Sequence, residues 1–368
     1  MFRSRGAIGL IAMFTAILLL TNHAIPVSHA QDAADTIVRS RFTVSDSDIE
    51  AAANVRFSSF HVMAANVPGA RERAATLNRE SARRVAELEG REIEPEATRP
   101  EQSLTSPYFY PGDLTRVNAK APTVAASVSH AVYIDYKGSV ASNWGNPEGF
   151  LSDLFKDKFI HVTDQYTGST ADNYTVGAHT AFTYNLYGGS NVLYEHELWA
   201  IVHSVASRKG FGTGTGHIYH LFLPRGIDTC MDETAECYSP DNPGLWVFCA
   251  YHDAVTFSDI GTVLFTVVPY LAVDGCAVEK PYANSELIDS TNSALSHETF
   301  ETITDPIPNT AWINETTFPE AGNEVADECQ PPQDENYNFK VPIFKISGKK
   351  YEVQLEYSNL YHACVTQP

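Results

Sequence analysis

His297, Glu298 and Glu301 are the residues whose types and spacing most directly suggest chemistry in this chain. On a helix, positions four apart share a face within about 5 to 6 Å, so His297 and Glu301 reach a single cation while Glu298 points to its flank. This is the geometry of the H-E-x-x-H zinc helix with the second histidine replaced by a carboxylate. There the histidines hold the metal, and the glutamate beside the first deprotonates water. A carboxylate is an acceptable oxygen ligand for Zn²⁺, though harder than imidazole. A His-Glu pair on the surface of an acidic helix spells the same letters, so the segment gains weight only with a further ligand.

A candidate follows in Gly322-Asn323-Glu324-Val325-Ala326-Asp327. It resembles the N-E-x-x-x-D segment of thermolysin-like gluzincin peptidases, with one residue fewer between the glutamate and the aspartate. The resemblance implies a His297, Glu301 and Glu324 ligand set with water in the fourth position, and Asp327 orienting His297 through a hydrogen bond. An acidic loop beside Cys329 is the structural alternative. The longer run His297-Glu298-x-x-Glu301-x-x-Thr304-Asp305-Pro306, Trp312 and Asn323-Glu324-x-Ala326-Asp327-x-Cys329 is similar to the EXORDIUM/phosphate-induced protein family and its microbial secreted relatives. Phe248-Cys249-Ala250-Tyr251-His252 resembles the Cys-Gly-Phe/Tyr-His segment of that family, with Ala250 where glycine is expected, and Ile160 to Gly168 resembles its early helix-to-strand region. The likeness covers roughly Pro107 to the C terminus; Cys230, Cys237 and the loop to Gly244 depart from it. It implies an extracellular protein, tied in plants to growth responses, and bears on fold and compartment more than on reaction.

His252 has two readings: a transition-state donor, or a satisfied core histidine at the end of a buried strand. His196-Glu197 opens a second His-Glu pair, but Ala200 stands where the next ligand belongs and the pair reads as helix surface. Trp199 and Trp312 read as packing residues. Asn173-Tyr174-Thr175 and Asn314-Glu315-Thr316 fit the N-glycosylation sequon.

The elements that must position these residues form a mixed set. Helical spacing covers Glu148 to Asp157, Leu193 to Ser207 and Ser285 to Thr304, the last stopped by Pro306 because the residue before proline leaves the helical region. Strand patterns cover Ala131 to Tyr136, His217 to Leu223, Leu245 to Tyr251 and Thr262 to Leu271, and the tail reads as a hairpin around Gly348-Lys349. The expected fold is α+β, a zincin-like mixed sheet with a backing helix and an active-site helix, disulfide-bonded, over 106–368. Residues 31–105 are polar, with an Arg/Glu-rich helix from about Ala70 to Leu88, and read as a pro-segment or spacer; the proline-bearing stretch Arg91 to Pro107 reads as a linker.

Compartment follows from the ends of the composition. Residues 1–30 carry Arg3 and Arg5, the apolar run Ala7 to Leu20 and the small-x-small Ser28-His29-Ala30, the pattern of a cleaved signal peptide. That run is shorter than the roughly 20 residues of a spanning helix. The expected protein is secreted and extracellular. The net charge of -20 argues against nucleic acid or an anionic membrane as partner, since both are held by Lys/Arg contacts to phosphate. From Leu271 to Lys340 there are fourteen Asp or Glu against Lys280 and Lys340 alone, a field that favours a cation.

These observations give the expectation of a secreted zinc-dependent metallohydrolase of the peptidase type: Glu298 as general base, His252 as a second catalytic group, His297, Glu301 and Glu324 on the metal, and a peptide or extracellular polymer as substrate. A non-catalytic extracellular signalling or wall-associated protein is the alternative. A structural Ca²⁺ site, with about six or more oxygens, is a third. The six cysteines, Cys230, Cys237, Cys249, Cys276, Cys329 and Cys364, suggest three disulfides in an exported chain. Counting leaves the pairing open; sequential pairing, Cys230 with Cys237, Cys249 with Cys276 and Cys329 with Cys364, is the choice adopted. Thiol titration of the denatured, unreduced protein is predicted to find essentially no reactive thiol, and two or more per chain would contradict the framework.

Overall fold

The computed structural model describes residues 44–91, 112–136, 144–171, 173–184, 191–232, 236–314, 323–331 and 338–368. The expected signal-peptide segment, most of the expected linker, and Glu315 and Thr316 of the second sequon lie outside them.

A seven-stranded mixed sheet forms the centre: β1 (Phe57–Ala64), β2 (Ser127–Tyr136), β3 (Tyr174–Val176), β4 (Thr180–Tyr184), β5 (His217–Phe222), β6 (Phe248–Phe257) and β7 (Gly261–Val268). Its order is β1-β6-β7-β5-β2, with both β3 and β4 pairing β2. The β1-β6 and β6-β7 pairings are antiparallel, while β7-β5, β5-β2 and the last pairings are parallel. β6 and β7 are buried along nearly their whole length because both faces are covered, β7 by a largely apolar run and β6 with His252 and Asp253 at its middle. Smaller two- and three-stranded ladders, including the hairpin Ile343–Ile346 with Lys349–Glu352, surround the sheet.

Among the described residues, five helices of two or more turns accompany it: α1 (Asp46–Ala53), α2 (Ala70–Glu89), α3 (Pro147–Leu154), α4 (Glu195–Lys209) and α5 (Glu286–Thr304), with a one-turn helix at Asp164–Thr167. α5 starts at the Ser285 cap, whose hydroxyl accepts from Ile288 N, and ends at Asp305 before Pro306. It is buried from Asp289 to Thr304. α5 packs on β6 and β7 from one side; α4 lies against the other, where Trp199 Nε1 donates to Asp253 Oδ2. Successive strand residues point to opposite faces, so His252 faces α5 and Asp253 faces α4.

Two expectations change. Residues 44–91 do not form a spacer: β1 pairs with β6 along its whole length, α2 packs on β1, and α1 is held to α4 by Asp48 with His203 and Arg208. The polar composition that suggested a separate segment is the outer surface of elements whose inner residues, Phe60, Val62, Met63, Ala74 and Leu77 among them, join the common core. The strand expected to end at Tyr251 continues to Phe257, because His252 and Asp253 are buried between layers rather than marking an exit. The sulfur pairs Cys230–Cys237, Cys249–Cys276 and Cys329–Cys364 are bonded, and no described cysteine is free.

β1 is an edge strand, and an unpaired edge is a template for association. Asn78 of α2 closes part of it: its Oδ1 accepts from Val62 N at 2.8 Å and its Nδ2 donates to Val62 O at 3.1 Å. Asn78→Ala leaves both backbone groups unmet inside the protein and is predicted to lower unfolding stability by about 2 to 4 kcal/mol in denaturant titration; a change under about 0.5 kcal/mol would show that these bonds carry no weight.

Candidate metal centre

β1, β6 and α5 bring three histidines together. His61 and His252 are directly opposed in the β1-β6 ladder, with ring centroids 6.0 Å apart, and His297 reaches in from α5. Glu298 and Glu301 come from the same helix, Glu324 and Asp327 from the segment before and within the turn Asp327–Cys329, and Gln354 and Glu356 from the C-terminal region. All nine side chains are buried.

The contacts are short and mostly carboxylate to imidazole. His61 Nε2 lies 2.6 Å from Asp327 Oδ2, and its Nδ1 lies 3.4 Å from Glu324 Oε1. His252 Nδ1 faces Glu298 Oε2 at 3.3 Å and Glu301 Oε2 at 3.5 Å, while its Nε2 faces Glu324 Oε2 at 3.5 Å. His297 Nε2 is 3.1 Å from Glu301 Oε1, out of line for a hydrogen bond, and 3.6 Å from Asp327 Oδ1.

The tautomer of His297 follows from its neighbours. Gln354 Nε2 donates to Ala326 O at 2.8 Å, so Gln354 Oε1 is the atom that meets His297 Nδ1 at 3.2 Å. An amide oxygen only accepts, which places a proton on Nδ1 and turns Nε2 toward the carboxylates. Such an anchored imidazole is how metal-ligating histidines are held.

Hydrogen bonds leave much of the cluster unmet. His61 Nδ1, His252 Nε2, His297 Nε2, Glu298 Oε1, both oxygens of Glu301, Glu324 and Glu356, and Asp327 Oδ1 are buried without a partner. Burying one ion costs several kcal/mol, order of magnitude, unless it is paired and bonded. So dense a set of unbonded donors converging on each other is what a cation coordinated among them resolves, and two groups have ligand atoms close enough to share one: His61, Glu301 and Asp327; His252, Glu298 and Glu301. Mixed imidazole and carboxylate donors suit Zn²⁺, Mn²⁺ or Fe²⁺ better than Ca²⁺, which takes oxygen throughout.

Electrostatics in the chain alone point the same way. Burial pulls the His252 pKa down, but the hydrogen bond and charge of Glu298 and the charge of Glu301 outweigh it and raise it to about 10. His297 is likewise raised well above its ordinary value against burial, chiefly by Glu301. Glu301 is lowered, since His297 and His252 overcome its desolvation. Glu324 and Glu356 are pushed well up by burial, Glu324 further by Asp305 and Glu301.

The predicted ligands are thus gathered, but not in the expected arrangement. His297 and Glu301 are adjacent, whereas Glu324 turns to His61 and His252. Asp327 does not orient His297: its hydrogen bonds go to His61 and to the backbone N–H of Asn323 and Glu324, and Gln354 takes the orienting role. Glu298 stands beside His252 instead of free on the flank. Asp305 is not in the cluster's contacts; its carboxylate accepts from the N–H groups of Asn309, Thr310 and Ala311 and shapes the turn after α5. His196 is exposed and bonds Asp232, Trp199 serves Asp253, and Trp312 packs on Tyr166.

His61 was not foreseen. Its one signal is a histidine inside the apolar run Phe60 to Ala64, on a segment read as polar. No protein-family model, curated protein or solved structure matches the chain.

The raised groups set a pH dependence for the metal-free protein. A pKa moved from 6.5 to about 10 in the folded state gives His252 a stabilising share that is complete below 6.5 and lost as pH climbs through 10; His297, Glu324 and Glu356 have the same sign. Glu301 has the opposite sign, its share present above 4.5 and lost only in acid. The Tm of chelator-treated protein is predicted to fall between about pH 6.5 and 10, more steeply than that of metal-loaded protein; parallel curves would place no imidazolium in the cluster.

Proposed function

We propose that this chain is a secreted metal-dependent hydrolase of zincin type, acting on peptides. The observation that carries the reading is the unbonded His-carboxylate cluster on a helix packed against the sheet, with Glu298 beside it. His297 and Glu301, joined by His252, His61, Glu324 and Asp327, supply the donors for Zn²⁺ or a similar ion. A bound ion of this kind supplies Lewis acidity toward water or a carbonyl. Glu298 Oε1, without a hydrogen-bond partner, is the atom available to accept a proton, and burial raises its pKa toward the range a general base needs. The His252 imidazole, whose Nδ1 lies 3.3 Å from the other oxygen, Oε2, fixes the orientation of that carboxylate. The resemblance of the helix and of the Glu324 segment to EXORDIUM-type and gluzincin sequences agrees with this reading, as do three disulfides with an exported chain.

A specific observation favours a second reading. Catalytic metal sites keep a position open to water, whereas structural ones are closed, and His61, His252, His297, Glu298, Glu301 and Glu324 are each 0 % exposed. A purely structural centre in an extracellular binding protein fits that closure.

Glu298→Gln separates the two. In the hydrolase it retains metal and fold and cuts release of peptides from labelled casein by about 10²-fold or more. If metal-loaded wild type releases no peptides while chelation lowers its Tm, the structural reading replaces the hydrolase.

A further inference from the structure

We propose that the cluster holds two divalent transition-metal ions, bridged by Glu301, a step that rests on the metal-centre reading above. His61 and Asp327 belong to one ion and His252 to the other, Glu324 reaches toward both, and Glu298 stays the base beside the second.

The two candidate groups share Glu301 and nothing else. Its oxygens divide between them: Oε1 faces His297, which also approaches Asp327, while Oε2 faces His252, and neither has a hydrogen-bond partner. Glu324 repeats the pattern, with Oε1 toward His61 and Oε2 toward His252, again both unbonded. Two carboxylates that each present one oxygen to either side of a buried cluster are the arrangement a pair of ions about 3.5 to 4 Å apart calls for. Charge leads to the same count. Glu301, Glu324 and Asp327 as ligands, with Glu298 as the base beside them, carry four negative charges when deprotonated; one divalent ion leaves two of them uncompensated away from water, and a second neutralises them. Three imidazoles, one per approach from β1, β6 and α5, are more than a single four-coordinate ion sharing three carboxylates has room for.

Metal content settles the number. The full mature chain, stripped with chelator and reloaded with Mn²⁺, is passed through a desalting column and assayed by elemental mass spectrometry, with the electron paramagnetic resonance spectrum taken on the same sample. The expected result is two Mn²⁺ per chain and an exchange-coupled multiline spectrum. His61→Ala and His252→Ala are each expected to retain about one ion and to give the isolated six-line signal; the wild-type spectrum stands as an independent readout should either variant fail to fold. One ion per chain with an isolated signal overturns the two-ion proposal and leaves a mononuclear hydrolase standing. No retained ion overturns the proposal and the metal-centre reading together.

Discussion

The rest of the structure is arranged around one constraint: a group of carboxylates and imidazoles has been removed from water. Ionised side chains at zero exposure are tolerated only where neighbours compensate them. The elements that surround the cluster are chosen accordingly. β1 and β6 supply a matched histidine pair by register, α5 supplies His297, Glu298 and Glu301, and the Cys329–Cys364 bond ties the turn carrying Asp327 to the C-terminal strand pair that carries Glu356. Gln354 links the two by bonding both His297 and Ala326. α5 is buried over most of its length although rich in Ser, Thr and Glu, because Ser290, Thr299, Thr302 and Thr304 donate to carbonyls of their own helix while His297, Glu298 and Glu301 face the cluster.

β6 carries ionisable groups to both faces. Opposite His252, Asp253 accepts from Trp199, and burial raises it to about 7, with Glu195 close enough to be raised as well. Two carboxyl groups this near cannot both ionise cheaply, and a shared proton satisfies them. The central strand is therefore polar at its middle on each side, and its conformation depends on hydrogen bonds from α4 and α5 rather than on apolar contact alone.

Much of this was legible in the sequence and some was not. α5 and the residues it brings to the cluster could be read because helical spacing and the Pro306 stop are local signals, and the observed helix Glu286–Thr304 differs from the expected span by one residue at its start. The strands of the apolar core were readable for the same reason. What escaped was non-local. Nothing in Phe57 to Ala64 says that it pairs with residues nearly two hundred positions on, and its polar surroundings hid it, so His61 went unread and the boundary was drawn in the wrong place. The end of β6 was misjudged because buried charge imitates a strand terminus. The division of Glu324 and Asp327 between histidines is a matter of angles that no spacing encodes.

The sequence distance between partners also bears on how the chain reaches this state. His61 and Asp327 are 266 residues apart, and Asn359 bonds Leu114 across 245. An assembly built from such remote contacts closes large loops before it gains compensating interactions, and topologies of this kind fold slowly. On a ribosome or a translocon, which release the chain from its N terminus, β1 emerges long before β6, α5 and the Asp327 turn exist. Its apolar inner face and open edge must wait, so the chain is vulnerable to mispairing until nearly all of it is present. The cluster closes only when residues near both ends of the chain are present, so any cation it holds would be captured at the completion of folding rather than at its start.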